Sequence, residues 1–301
     1  MNIYGDQIQR VLAIVVTYFP DSFFESRIRK LIDQFEEVLI IDNTPSEELH
    51  VSLQSLSNLA NLSLRQMKRN MGIAYALNEG LSYAKDHGYL WVGTFDQDST
   101  VPDDFLYKII STFKNFPQKD KVAIISPIYL LPDGSMKSFS SGKKKSIELR
   151  NVDFTMTSGN ILNVSKANYV GGFDSSLFID YVDFDLCLRL RAQGFLILEN
   201  RNVILQHELG RNFLHRKFLW KKIGLPNYPP IRIYFSTRNR LILYWRYWKT
   251  APGFVIHDMP RFFITFIKII LFESEKKSKI HAFCVGFRDG VFCRFEVKSN
   301  G

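Results

Sequence analysis

The chain has little with which to staple or anchor itself. It holds only three cysteines in 301 residues, Cys187, Cys284 and Cys293. They form no close pair of the kind a structural zinc site uses, and three is an odd number for a disulfide framework, so a reducing, cytoplasmic setting is expected. No uncharged apolar run approaches the roughly 18 residues of a spanning helix. Met1-Asn2-Ile3-Tyr4-Gly5-Asp6 has no basic stretch leading into an apolar one, so no signal peptide is expected. Acid is scarce in the second half: residues 151–301 carry 22 Lys and Arg against 12 Asp and Glu, while residues 1–150 carry 17 against 18. Such asymmetry suits an anionic ligand or surface met by the C-terminal half, membrane or nucleic acid. No RNA or DNA motif accompanies it, which argues against nucleic acid. What is abundant is apolar: 46% hydrophobic residues imply a substantial core.

The first half reads as strands alternating with helices. Val11 to Tyr18 is a continuous apolar run with a polar end, as in a parallel strand buried on both faces. Helical spacing of Phe24, Ile28, Leu31 and Ile32 follows, then a second strand, Val38 to Ile41, ending at Asp42-Asn43. This is a βαβ pattern. Thr44-Pro45-Ser46-Glu47 resembles a capped helix start. Leu62 to Met67 predicts a third strand, and Ile73 to Asp86 a helix led by Asn70 and Gly72. Free N–H groups and the dipole there favour phosphate, although Gly72 serves equally as a turn residue. Tyr89 to Phe95 predicts a fourth strand, Pro102 opens another helix, and Val122 to Pro127 is a fifth strand.

Strand four stops at Asp96-Gln97-Asp98. In an open α/β sheet, ligands bind beyond the carboxyl ends of the strands, and two carboxylates there suit a hard divalent cation that also takes phosphate oxygens. Solvated loop acids are the plainer reading of one such pair. Four strand ends, Thr17-Tyr18, Asp42-Asn43, Asn70 and Asp96-Gln97-Asp98, nevertheless converge on the same edge, and this favours a nucleotide site. Past a polar, Lys-rich stretch from Leu131 to Glu148, Phe154 to Val164 predicts a strand interrupted at Gly159. Asp180-Tyr181-Val182-Asp183-Phe184-Asp185 then runs into a helix that Gly194 ends. On a helix Asp183 and Asp185 lie about 200° apart. Asp185 faces Arg189 as a surface ion pair, whereas Asp183 has no cation four residues on and is the candidate general base. A carboxylate that complements the helix dipole is the alternative.

Together Asp42, Arg69-Asn70-Met71-Gly72, Asp96-Gln97-Asp98 and the helix from Val182 to Arg189 resemble glycosyltransferase family 2, over about residues 10–245. Phe95 to Ser99, Phe178 to Asp183 and Tyr234-Phe235-Ser236-Thr237-Arg238-Asn239 look most like the rhamnosyltransferases of bacterial cell-surface polysaccharide assembly. The resemblance implies a GT-A fold, an α/β architecture with a mixed, mainly parallel sheet flanked by helices, here with a C-terminal helical extension. It implies residues 1–245 as the transferase domain, nucleotide-binding over about 10–130 and acceptor-facing over about 150–245, with 246–301 as the extension. The donor would be dTDP-L-rhamnose, UDP-galactofuranose or a UDP-hexose being the rivals. The acceptor would be a saccharide or lipid-linked saccharide.

By the same resemblance Thr17, Tyr18, Asp42, Asn70, Gly72, Asp96, Gln97 and Arg238 would bind the nucleotide-sugar. Asp96 and Asp98, with His207 at a strand end, would hold Mg²⁺ or Mn²⁺. Asp183 would be the base, and Asn160 and Asp180 would meet the acceptor. Where many members have Glu-Asp, this chain has Val182-Asp183. A lone histidine is as often a loop or core residue, and Arg238 could equally hold a carboxylate within the fold. A non-catalytic nucleotide-sugar or glycan-binding subunit is the rival of another class, but it would have no need of a base.

Beyond residue 210, cations interleave with aromatics in Arg216 to Lys222, Tyr244 to Lys249 and Arg261 to Phe272, with Lys276-Lys277-Ser278-Lys279 after them. These stretches suit a helix lying in an anionic membrane interface, at the inner face of the cell membrane. A buried helix hairpin and a homodimer interface are the competing readings.

Overall fold

Six apolar residues in a row and the Thr17 that ends them form β1 (Val11–Thr17), the strand on which the first sheet is built, and every one of them is buried. The structure is a computed structural model that describes residues 10–45, 53, 56, 59–114, 116–131, 134–139, 148–207, 213–218 and 221–296; residue 207, both strands within 213–226 and residues 293–296 are described as backbone only. Two expectations fall outside them, the helix opening from Ser46 and the basic tip at Lys143-Lys144-Lys145.

The chain divides into two compact units. Unit 1 comprises residues 1–178 and 182–208; unit 2 comprises residues 179–181 and 209–301. In unit 1, β1 pairs in parallel with β2 (Glu37–Asp42) and β4 (Trp91–Asp96), and β2 in parallel with β3 (Leu62–Gln66). Further strands are β5 (Ser99–Thr100), β6 (Val122–Leu130), β7 (Met136–Lys137), β8 (Leu149–Asn151), β9 (Asn160–Asn163) and β10 (Leu196–His207). The sheet runs β3-β2-β1-β4-β9-β6-β10-β5, with β7 on β6 and β8 on β10. β9 is antiparallel to both β4 and β6, while β6 and β10 are parallel. The sheet is therefore mixed and mainly parallel along its path, as expected from the unbroken apolar strands.

Helices α1 (Phe24–Ile32) and α3 (Phe105–Lys114) contribute Phe24, Ile28, Leu31, Phe105, Ile109 and Phe113 to one core with Val11, Ala13 and Val15 of β1. Each such side chain contributes about 1.5–3 kcal/mol by leaving water. Helix α2 (Ile73–Asp86) buries Ala74, Ala76, Leu77, Leu81 and Ala84. Two shorter helices also lie among the described residues of the unit, α4 (Val164–Tyr169) and α5 (Val182–Ala192). The strand predicted from Phe154 is shorter than expected: Gly159 turns with φ +81°, and pairing starts at Asn160.

Unit 2 opens with an antiparallel hairpin, β11 (Phe213–Phe218) and β12 (Lys221–Pro226). Arg216, Lys217, Phe218, Lys221 and Lys222 thus lie in strands and not in an interfacial helix, and Gly224 and Pro226 are poor helix formers. Three helices follow, α6 (Pro230–Tyr247), α7 (Pro252–Phe272) and α8 (Lys276–Glu296). α8 meets α6 through Gly286 and Gly290, where a Cβ would stand 2.5 Å from the Tyr234 carbonyl oxygen and 2.8 Å from that of Arg238. Only hydrogen at those two positions lets the helices approach so closely.

Candidate active site

The carboxyl ends of β1, β2 and β4 are tied together by side chains from the predicted set. Asp42, fully buried at the end of β2, accepts from Thr17 Oγ1 at 2.8 Å and from the Thr44 amide at 3.0 Å. Thr44 Oγ1 in turn accepts from the Phe19 amide at 2.9 Å. Gln97 pairs twice with the backbone of Tyr18: the Tyr18 amide donates to Oε1 at 2.7 Å, and Nε2 donates to the Tyr18 carbonyl at 3.1 Å. The segment before α2 is fastened alongside. Asn43 donates through Nδ2 to the Gly72 carbonyl at 3.2 Å and accepts from the Met71 amide at 3.3 Å, and Asn70 Oδ1 accepts from the Gly72 amide at 2.9 Å. Gly72 has φ +84°, and a Cβ there would lie 2.6 Å from Phe178 Cδ2.

Asp96 and Asp98 flank Gln97 in the turn after β4, both partly exposed. The turn is held from behind by Ser158, whose Oγ accepts from the Asp96 amide at 3.1 Å and lies 2.6 Å from Ser99 Oγ. The backbone of His207 pairs with Ser99 across the β5–β10 ladder, which brings that strand end beside the turn; its side chain lies outside the described residues. Carboxylate oxygens at this edge are the donors that Mg²⁺ and Mn²⁺ accept when phosphate completes the shell. Among the described residues no three His, Cys, Asp or Glu side chains cluster as a metal cage.

Asp183 lies in the first turn of α5, partly exposed, with its Oδ1 accepting from the Phe184 amide at 2.9 Å. Buried Tyr129 feels the charge of this acid and of Asp96. Burial raises the Tyr129 hydroxyl well above the usual phenol range, its hydrogen bond with Thr155 opposes this, and the carboxylates of Asp183 and Asp96 raise it further. One buried hydroxyl therefore senses both acids. It lies 3.1 Å from Thr155 Oγ1, which donates to Asn160 Oδ1 at 3.2 Å. Asn160 is thus a buried member of this wall. One turn along α5, burial pushes the Cys187 thiol up to about 12 despite a hydrogen bond with the Thr155 backbone, and Asp183 adds to the rise.

Asp185 differs from expectation. It is fully buried, accepting from Arg189 Nε at 2.8 Å, with Arg189 Nη2 at 2.7 Å, while Nη1 donates to the Val170 carbonyl at 2.5 Å. The i,i+4 spacing was read correctly, but the face was not: Asp185 points inward with Leu186 and Leu190. This pair is structural.

Asp180 and Arg238 belong to unit 2. Asp180 is gripped by Arg232, with Nε at 3.2 and 3.3 Å from its two oxygens and Nη2 at 3.0 Å from Oδ1. Arg238 donates to Asn239 Oδ1 from Nε at 3.0 Å and Nη2 at 2.8 Å, and it lies over the Phe235 ring. Asn239 Nδ2 donates to the carbonyls of Ile179 at 2.8 Å and Asp180 at 3.0 Å, where Asp180 and Tyr181 both have φ +64°. Sequence reasoning missed Ser158, Tyr129 and Thr44 as supports within unit 1, and Asn239 as the clamp on residues 179 and 180 within unit 2. Only the Asn after Arg238, as part of the family resemblance, offered a signal.

Residues 13–133 match the model of Glycosyl transferase family 2, a span that holds Thr17 through Asp98 and stops short of Asp183. Among curated proteins, dTDP-rhamnosyl transferase RfbF of Shigella flexneri is 27% identical over 245 residues, covering 77% of this chain and 79% of that protein. Among solved structures, that of GalNAc-T7 with UDP, GalNAc and Mn²⁺ superposes with a TM-score of 0.63 at 14% identity over 83% of this chain. This chain spans about half, 51%, of that neighbour's length, and the likeness establishes the GT-A-type fold.

Proposed function

We propose that this chain, which matches Glycosyl transferase family 2 over residues 13–133 and is similar to a dTDP-rhamnosyl transferase, transfers L-rhamnose from dTDP-L-rhamnose, with inversion, to a hydroxyl of a growing cell-surface saccharide. The RfbF match supports the donor, since it extends over most of both chains. We take the acceptor to be lipid-linked and the reaction to occur at the cytoplasmic face of the membrane. By role, residues 1–245 form the transferase domain and 246–301 the helical extension.

The observation that carries the catalytic reading is the joining of the carboxyl ends of β1, β2 and β4 through Thr17, Asp42, Tyr18 and Gln97, beside Asp96. In this reading Asp42, locked by Thr17 and Thr44, meets the base, and the Tyr18 and Gln97 brace shapes the rim of the donor site. The N-terminus of α2 at Gly72 directs the positive end of its dipole at the diphosphate. Asp183 accepts the proton of the acceptor hydroxyl as that oxygen attacks the anomeric carbon opposite the leaving diphosphate. One displacement gives inversion. Held by Asp96 and Asp98, with His207 as a further donor, Mg²⁺ or Mn²⁺ would neutralise charge on the departing diphosphate. Asp180 and Arg238 are assigned to the acceptor and donor sides through the family resemblance.

Thermal stabilisation by dTDP-rhamnose, UDP-glucose, UDP-galactose and GDP-mannose, each with and without Mn²⁺, tests the reading, because a ligand of the folded state raises apparent stability. A metal-dependent rise with dTDP-rhamnose alone is expected. A rise only with UDP-sugars would overturn the donor.

A further inference from the structure

Helix α7 is apolar on two sides. One side carries Phe254, Val255, Phe262 and Ile269, all buried within unit 2. The other faces outward: Ile256, Phe263, Ile264, Ile267, Ile270 and Leu271 are between 38% and 67% exposed. At 100° per residue these six fall within an arc of about 120°, and no charged residue of the helix projects into it. Lone exposed apolar residues need no explanation, but a continuous face of large ones marks an interaction surface.

Charge identifies the occupant. His257, Arg261 and Lys268 line one edge of the arc by the same geometry, and the exposed Lys276 and Lys277 begin the next helix. The only acid of α7, Asp258, is turned inward, where it accepts from Tyr244 OH at 2.8 Å and Tyr181 OH at 3.2 Å and pairs with Arg240 at 3.0 Å. Arg261 Nη1 lies 4.0 Å from its other oxygen but keeps its side chain 71% exposed. A second copy pairing antiparallel through this face would set basic edge against basic edge, and α7 offers no outward carboxylate to offset them. An anionic lipid surface answers both the apolar arc and its basic rim. Among the described residues no helix is long and apolar enough to cross a membrane, so α7 would lie on the surface, its inner side committed to unit 2.

We propose that the outer face of α7 docks on an anionic bilayer, with Phe263 and Ile267 at the centre of the buried strip and Arg261 and Lys268 among the headgroups. The inference rests on α7 alone and not on the sugar assigned above, although a lipid-linked acceptor would be delivered by the same contact. The test is co-sedimentation of the full chain with vesicles of phosphatidylcholine, and of phosphatidylcholine mixed with phosphatidylglycerol, alongside light scattering of the protein alone. The wild type should pellet with the anionic vesicles and be released by salt. The double variant Phe263→Ser/Ile267→Ser should lose about tenfold or more in binding, and Lys268→Glu should lose the preference for anionic lipid. Each variant should keep its donor-induced thermal shift, which shows that it is folded. Equal pelleting of wild type and double variant would overturn the proposal, as would a wild-type dimer that the double variant makes monomeric. Failure of the sugar reading would look different: no donor response with vesicle binding intact.

Discussion

Gln97 and Tyr18 exchange two hydrogen bonds between the turn after β4 and the end of β1, at 2.7 and 3.1 Å. The side chain between the two candidate metal-binding acids is therefore tied to the backbone at the end of β1. It fixes the position of Tyr18, which is 47% exposed at the rim. Gln97→Ala would free that rim and take about 1 kcal/mol from donor binding. Titration with dTDP should show about fivefold weaker binding, with the unfolding midpoint nearly unchanged, since the brace is exposed.

Asp183→Asn keeps the shape of the side chain and removes its basicity. Turnover should fall by about 10²–10⁴-fold while dTDP-rhamnose binding is retained. Single-turnover kinetics beside calorimetric donor binding separate the two. Unchanged turnover would remove Asp183 from the chemistry.

Gly72→Ala places a methyl group in a left-handed backbone, 2.6 Å from Phe178 Cδ2 and 2.7 Å from its carbonyl oxygen. The backbone conformation alone costs about 1–2 kcal/mol, and the clash adds to it. Urea unfolding should show a loss of about 2 kcal/mol or more, and donor affinity should fall with it.

Cys187 makes the protein sensitive to alkali. Its thiol is pushed up from 9.0 to about 12 in the folded chain, so the unfolded chain releases this proton first. The stability it contributes is complete below pH 9 and is lost as pH rises through about 12. Urea midpoints across that window should fall less steeply for Cys187→Ala than for wild type. The same burial should protect the folded chain's Cys187 from thiol reagents at neutral pH.

Asn239→Ala removes the two donors that hold the carbonyls of Ile179 and Asp180. Asn239 is fully buried, and the segment it clamps has two non-glycine residues at φ +64°. A loss of about 2 kcal/mol is expected in denaturant unfolding. Asn239→Asp, which keeps the size but not the donors, should be no better.

Much of this protein was legible along the chain. β1, β2 and β4 each end where an apolar run meets a polar residue, because a strand buried on both faces must be apolar throughout and its exit must be polar. The helix start at Gly72, the acid pair after β4 and the two acids of α5 follow from the same local rules of periodicity and turn chemistry. The fold class was legible for that reason.

Tertiary structure alone decided which polar side chains face ligand and which support others. Asp185 looked like a surface partner of Arg189, yet it is fully buried, because the i,i+4 spacing defines the pair but not the side of α5 that meets the core. Asn160 stood beside a promising glycine, yet its oxygen accepts from Thr155. Ser158 supports the Asp96 amide from 62 residues away, and Asn239 clamps the Asp180 carbonyl from 59 residues away. Neither contact leaves a period or a motif, since hydrogen bonds between distant segments depend on sheet order and helix placement. The outer face of α7 belongs to both accounts. Its apolar residues and cations can be counted in the sequence, but only folding separates the side that fills unit 2 from the side left open to solvent.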